Sequence, residues 1–264
     1  MVEDPKSSMD DIATTIESDS RIAADILRLA NSPHYVHLGR ATNAKAAVTR
    51  LGLRHVHNLV QTIALQGFCN VSDPSYQKLL TTVWRRSVAR AVAMRALCDI
   101  VDPLPSSNSP GLNGDTAYLI GLMADVGGSL LLWVVSERKG GALTAEDIRD
   151  TKTALETVRK AHEDLGKAML TRWQFEPVVT ATIGHHHRDT PPVVGAAWWY
   201  LFVLGDHVAS LLLGEPDPLS DPPNPMVIER CAAEFQIPRL ILNRFGAELR
   251  NELESILKGI EGAR

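Results

Sequence analysis

Apolar residues recur along this chain at intervals of three and four, the spacing of one helix face, and hardly ever in alternation. In "SRIAADILRLANS" Ile22, Ile26, Leu29 and Ala30 fall on one stripe, with Ser20 as the expected N-cap. A helix before it, "SMDDIATTIES", opens on a capping-box-like Ser8…Asp11 pair. Pro33 ends the second helix, because a proline disfavours helical geometry at the residue before it. A third helix is predicted over 42–51, closed by Gly52 as a left-handed C-terminal residue. A fourth starts at once, "LRHVHNLVQTIALQGF", with Val56, Leu59, Val60 and Ile63 on a shared face.

The same period continues. A long amphipathic helix is predicted over 76–100, and residues 101–115, rich in Pro, Ser, Gly and Asn, read as a loop. "YLIGLMADVGGSLLL" (118–132) then reads as one nearly unbroken apolar helix with a single carboxylate, Asp125, in its middle. One or two helices follow over 143–173, another from Pro177 to the histidine triplet, and an apolar one over 193–213. A proline-rich linker, 214–225, precedes two terminal helices. No run alternates polarity with β-branched enrichment, so the fold class predicted is all-α. The divisions expected are an N-terminal helical bundle over 1–72, a second multi-helix bundle over 73–213, and a linker with C-terminal helices over 214–264.

Charge changes this picture little. Lys and Arg number 27 against 31 acids, a net −4, so no overall basic bias points to nucleic acid. Residues 1–20 carry six acids and one lysine, and 21–60 carry six basic residues and Asp25. Solvated faces account for such asymmetry as readily as a partner surface does. Cys69, Cys98 and Cys231 are odd in number and widely spaced, which suits a reducing cytoplasm and no disulfide framework. Segment 193–213 is long enough to cross a membrane, but Asp206 and His207 lie inside it and no basic cluster flanks it. It is read as a core helix, and no membrane association is expected.

Candidate chemistry comes from single polar residues on apolar helices. Asp125, His162 in "KAHEDLG" and Asp206 in "VLGDHVA" each interrupt such a face, and each belongs to a different predicted helix. A lone buried carboxylate is costly unless a cation, a metal or a hydrogen-bond network receives it. Helical bundles build inward-facing metal sites from contributions of this kind, although any one such residue is more often a hydrogen-bonded core group. "IGHHHRD" adds His185, His186 and His187. Neighbours on a helix point about 100° apart, so all three cannot face one ion. Residues 43–60 look like a helix-turn-helix, but the second helix offers one arginine, Arg54, and DNA binding is not expected.

Taken in order, "DSRIAADILRLANSPHY", "AVTRLGLRHVHNLV", "VWRRSVARA", "AYLIGLMADVGGSLLL" and "HEDLGKAMLTRWQFEPVV" with the histidine run resemble the HDOD family, over roughly residues 10–215. These are regulatory relatives of the HD-domain metal phosphohydrolases. The resemblance implies an HD-like helical bundle and a role in bacterial signal transduction. It also implies which positions have changed. The His-Asp doublet of the hydrolases falls on Ala124-Asp125, the first metal histidine on Arg86, and the lysine after the doublet on Gly128. His162, one of His186 and His187, and Asp206 match the later ligand positions.

Two histidines are thereby missing, and activated water needs a metal with a full ligand set and an open position. The expectation is a non-enzymatic regulatory module with no cofactor and no metal; Asp125, His162, His186 and Asp206 are the residues that would hold one. The residual cavity expected to serve as a ligand or partner pocket comprises Arg86, Asp125, His162, His186, His187 and Asp206. Arg86 is expected to supply the positive charge that Asp125 faces, with Asp206 sharing it. The partner expected is a signalling protein, and a homodimer is a further arrangement, since the Leu249, Leu253, Ile256 and Leu257 stripe docks either on the chain's own core or on a second subunit. The alternative is a residual metal-dependent phosphohydrolase acting on a nucleotide or cyclic dinucleotide.

Overall fold

The computed structural model describes residues 9–32, 40–101, 111–137 and 151–261. The Ser8 cap, the Pro33 stop, most of the 101–115 loop and the start of the 143–173 segment lie outside them. Among the described residues every regular element is helical, apart from turns and a short 3-10 stretch at Gly67–Cys69. The all-α expectation is met.

The residues form two compact units. One comprises 1–65 with 250–264, the other 66–249. In the first, α1 (Met9–Glu17), α2 (Ser20–Ala30) and α3 (Ala44–Leu51) pack on one another, and α4 (Leu53–Gln66) follows directly. The cap of α2 sits one residue earlier than expected, because Asp19 Oδ1, not Ser20, accepts from Ile22 N–H. Asn43 caps α3, accepting from Ala46 N–H at 2.7 Å. Gly52 closes it at φ 79°, a conformation that suits glycine.

The second unit holds the apolar helices. They are α5 (Pro74–Val101), α6 (Gly114–Met123), α7 (Val126–Glu137), α8 (Thr151–Arg172), α9 (Pro177–Ile183), α10 (Ala196–Leu213) and α11 (Pro225–Glu234). The last helix, α12 (Arg239–Glu261), begins in this unit and ends in the first. Helix α5 is central and packs along α6, α7 and α10, while α7 packs along α8.

Two close approaches fix the site. At Gly121 a Cβ would lie 2.7 Å from Ala91 Cα, so only glycine lets α6 rest on the α5 backbone beside Arg90. At Gly127 a Cβ would run into the His162 carbonyl and the Gly166 amide, so α7 and α8 touch main chain to main chain. Residues 118–132 are not one uninterrupted helix. The helix breaks at Ala124-Asp125, where the Asp125 side chain turns onto α5, and resumes with Ser129 N–H bonding Asp125 O.

Segments 114–137 and 196–213 are both apolar and long enough to cross a membrane, yet both contribute to the core of this unit. The three cysteines are free and buried.

Candidate functional site

Arg86 and Arg90 stand four residues apart on α5, so both guanidiniums leave one helix face. Both are buried, Arg90 completely. Burying two cations side by side requires anions, and three carboxylates supply them. Arg90 donates from Nη1 to Asp125 Oδ2 at 2.7 Å, from Nε to Asp206 Oδ1 at 2.8 Å, and from Nη2 to Asp217 Oδ2 at 3.3 Å. Arg86 Nη2 reaches both oxygens of Asp206 at 3.2 and 3.1 Å and Ser210 Oγ at 2.8 Å. Its Nε forms an ion pair with Asp217 Oδ2 at 2.7 Å. Asp217 Oδ1 is engaged as well, accepting from Leu219 N–H at 2.8 Å. Phe202 on α10 lies under Arg90, 5.0 Å from Cζ to ring centre, a cation–π contact in a desolvated setting.

The cation that Asp125 faces is therefore Arg90 and not Arg86, while Arg86 serves Asp206 and Asp217. Two members of this network, Arg90 and Asp217, were not anticipated. Arg90 left a signal in "VWRRSVARAVAM": it follows Arg86 at a helical interval and is the one polar residue in Val88–Met94. Asp217 left none, because it lies in "GEPDPLSDPP", where composition predicts only a linker.

On the other side of Asp125 stand three imidazoles. His162 Nε2 is 3.8 Å and His186 Nε2 3.6 Å from Asp125 Oδ1, too far for hydrogen bonds. His187 joins them, its ring 4.0 Å from that of His186 and 4.9 Å from that of His162. As expected, His185, His186 and His187 do not all meet at one point, and His186 and His187 come together because α9 ends at Ile183. The Gly184 amide closes it on Thr180 O, and the histidines occupy turns. His185 faces away and bonds Thr190 O through Nε2.

The ring nitrogens are used unevenly. His162 Nδ1 lies 3.1 and 3.0 Å from the carbonyls of Val158 and Arg159, and His186 Nδ1 against that of Ile183. A carbonyl accepts only, so Nδ1 carries a proton in both rings and Nε2 is the ring nitrogen turned towards Asp125. Asp125 Oδ1 and the Nε2 atoms of His162, His186 and His187 are all buried and have no hydrogen-bond partner. One donor atom from each of these four residues lies within 4.8 Å of every other. Orphaned buried polar atoms are rare. These four converge on one point, with the second ring nitrogen of two histidines fixed by main chain, as in metal-ligating imidazoles. The donor set fits a divalent ion, although the sequence led us to expect none. Asp206 is not part of it, because the arginines engage both its oxygens.

Electrostatics follow the geometry. Burial pushes the Asp125 carboxyl up, but Arg90 and the nearby His186 outweigh it and hold Asp125 well below the usual carboxylate range. Burial likewise raises Asp206, and the two arginines bring it below its ordinary value. Asp217 stays raised, by burial and by the negative charge of Asp125. Burial and His186 lower both His162 and His187, the latter strongly, so these rings are neutral. Burial pulls His186 down as well, but Asp125 more than compensates and leaves it raised.

A cavity of about 460 Å³ reaches this cluster from outside. His186, His187, Asp206 and Phe202 lie on its inner wall, and Arg159, Arg188 and Asp221 line it further out.

The all-helical bundle, with Asp125 at a helix break, His162 on α8 and His186 and His187 in the turns after α9, is of the HD-like class. Within that class the chain belongs to the HDOD family, whose domain model, "HDOD domain", matches residues 1–189. A curated relative from Treponema pallidum (strain Nichols), described as "Uncharacterized protein", is 24% identical over 195 residues. That alignment takes in 71% of this chain but only 35% of the relative. The fold is shared with crystal structures at low identity. One, from Shewanella amazonensis SB2B, is named "Putative metal-dependent phosphohydrolase" (23% identity, 98% of this chain and 87% of that one, TM-score 0.66). Another, a "Putative signal transduction protein" from Marinobacter aquaeolei VT8, matches at 20% identity over 99% of this chain and 56% of that one, with a TM-score of 0.67. An "HDOD domain protein with unknown function" from Geobacter sulfurreducens matches at 19% identity over 100% and 89%, with a TM-score of 0.58.

Proposed function

We propose that this chain is a non-catalytic, cytoplasmic signalling module that acts by binding a protein partner or a small ligand. The observation that carries this reading is the seating of Arg86 and Arg90 among Asp125, Asp206 and Asp217. A metal-dependent hydrolase needs carboxylates free to hold its ions and an exchangeable position for water. Here guanidiniums take up the carboxylates, and a guanidinium neither activates water nor leaves. A network so fully paired fixes one packing of α5, α6 and α10, which suits a scaffold that presents a surface.

The test is an assay of untagged protein against nucleotides, cyclic dinucleotides and phosphomonoesters, with manganese, iron(II) or zinc supplied. The expected result is no turnover, in the wild type and in Ala124→His alike. Metal-dependent turnover that disappears in His186→Ala would overturn the reading.

A second reading, a residual metal-dependent phosphohydrolase, draws support from the four orphaned donors beside an open cavity edged by Arg159 and Arg188. Asp125, His162, His186 and His187 would hold the ion, which would supply Lewis acidity, and Arg159 and Arg188 would attract an anionic substrate. The same assay separates the two readings.

A further inference from the structure

Between α10 and α11 the chain runs "GEPDPLSDPPN" (214–224), a strap with no regular structure. Pro216 and Asp221 are exposed, yet Asp217 and Leu219 between them are buried. From 215 to 223 no main-chain group bonds to another main-chain group, so contacts with side chains of the bundle hold the strap. Asp217 Oδ2 lies 2.7 Å from Arg86 Nε and accepts from Arg90 Nη2 at 3.3 Å. Arg159 Nε donates to Pro218 O at 2.8 Å. Leu219 seats on Gly128 between α7 and α8: a Cβ at 128 would lie 2.6 Å from Leu219 Cδ1, with Val158 and His162 beside it. Asp217 is not needed to neutralise the arginines, since Asp206 already pairs with Arg86 and Asp125 with Arg90.

We propose that this groove is a peptide-docking site, occupied here by the chain's own strap, and that it takes an extended partner segment with an acidic residue, one spacer and an aliphatic residue. The strap displays that pattern: a carboxylate on Arg86 and Arg90, a spacer carbonyl on Arg159, and a leucine on Gly128. Asp217 Oδ1 accepts from Leu219 N–H at 2.8 Å, a local turn that a separate peptide of the same sequence carries with it. Leu219 and Asp221 also line the cavity of about 460 Å³, so an incoming segment meets the strap at an existing opening. Tied at both ends, the strap competes with a partner at an effective concentration on the order of millimolar. The groove is thus closed to weak ligands until the strap is loosened. This inference rests on the binding-module reading and names its surface. The two fail separately, because turnover tests that reading and docking is read by binding alone.

The experiment uses the full chain and a fluorescein-labelled peptide of the strap sequence, GEPDPLSDPPN, followed by fluorescence anisotropy with chelator present. Leu219→Ser vacates the seat on Gly128 and leaves every charge in place. It is expected to bind the peptide saturably, about tenfold or more tightly than the wild type does, because the tethered competitor is weakened. Changing the peptide's aspartate that matches Asp217 to asparagine, or its leucine that matches Leu219 to serine, is expected to weaken binding roughly tenfold each. Gly128→Val added to Leu219→Ser fills the seat and is expected to abolish binding. Asp217→Asn loosens the strap from its arginine end; it is measured in parallel and carries the test if Leu219→Ser loses the helical circular dichroism of the wild type. No saturable binding to either strap variant, equal affinity for wild type and variants, or binding indifferent to the peptide's aspartate and leucine would each overturn the proposal.

Discussion

Arg90 Nη1 lies 2.7 Å from Asp125 Oδ2, and neither side chain meets solvent. Two full charges are thus buried against each other at the centre of the larger unit. Their attraction offsets a large desolvation cost only because every polar atom of the guanidinium is used.

Removing the cation should therefore be far worse than removing its contacts. Arg90→Met keeps much of the side-chain length but leaves three carboxylates around an apolar chain. The expected loss is about 3–5 kcal/mol, the range for breaking one partner out of a buried pair. Arg90→Lys keeps the charge but cannot direct separate donors at Asp125, Asp206 and Asp217 together. It should fall between wild type and Arg90→Met. Urea denaturation followed by circular dichroism gives all three values, and equal stability of wild type and Arg90→Met would rule this account out.

The sequence made part of this arrangement readable. Helix spacing was legible because each helix of the larger unit buries a stripe, and Asp125, His162 and Asp206 stood out as single polar residues on such stripes. What was hidden depended on tertiary path. Arg86 attracted notice as a changed position, whereas its neighbour one turn later holds Asp125. Asp217 comes from a proline-rich segment with no period to read. The histidine run reads as the end of a helix, whereas the helix closes at Gly184 and leaves the run in turns, where two adjacent rings reach one point.

Gly127 offers a second test, of geometry and not of charge. A methyl group there meets the His162 carbonyl and the Gly166 amide, both main chain, and so cannot be relieved by a rotamer change. Gly127→Ala must push α7 from α8, at a cost of about 1–3 kcal/mol for overpacking. The same displacement moves Asp125 from His162. Gly67→Ala is the control, since a Cβ there meets nothing within 4 Å. A wild-type unfolding midpoint for Gly127→Ala would show that the two helices are not in main-chain contact.

In the smaller unit the prediction concerns a cap. Asn43 Oδ1 accepts from Ala46 N–H at 2.7 Å, at an exposed position. Asn43→Ala should cost about 1 kcal/mol, and Asn43→Asp or Asn43→Ser should recover most of that. Equal unfolding midpoints for Asn43→Ala and Asn43→Ser would mean that the bond contributes nothing in solution.

Acid stability follows from Asp206, whose folded-state pKa is lowered from the ordinary 3.8. Burial opposes that shift and the two arginines outweigh it. A carboxyl with a folded value below its unfolded value contributes stability that is complete above the unfolded value and is lost as pH falls through the folded one. Asp125 is lowered further and acts in the same direction. Asp217 has the opposite sign: its raised pKa means it costs stability once ionised, a penalty that acidification relieves. Because two lowered carboxyls stand against one raised, the net expectation is stability that falls with pH below about 4. Asp206→Asn isolates the contribution. It leaves Arg86 and Arg90 short of an anion and so lowers stability at neutral pH. Below the folded pKa the wild-type Asp206 is protonated too, so the difference between the two proteins should shrink. Urea midpoints measured across that range give the answer, and a gap between wild type and Asp206→Asn that stays constant with pH would contradict the assignment of Asp206 as a lowered, arginine-paired carboxylate.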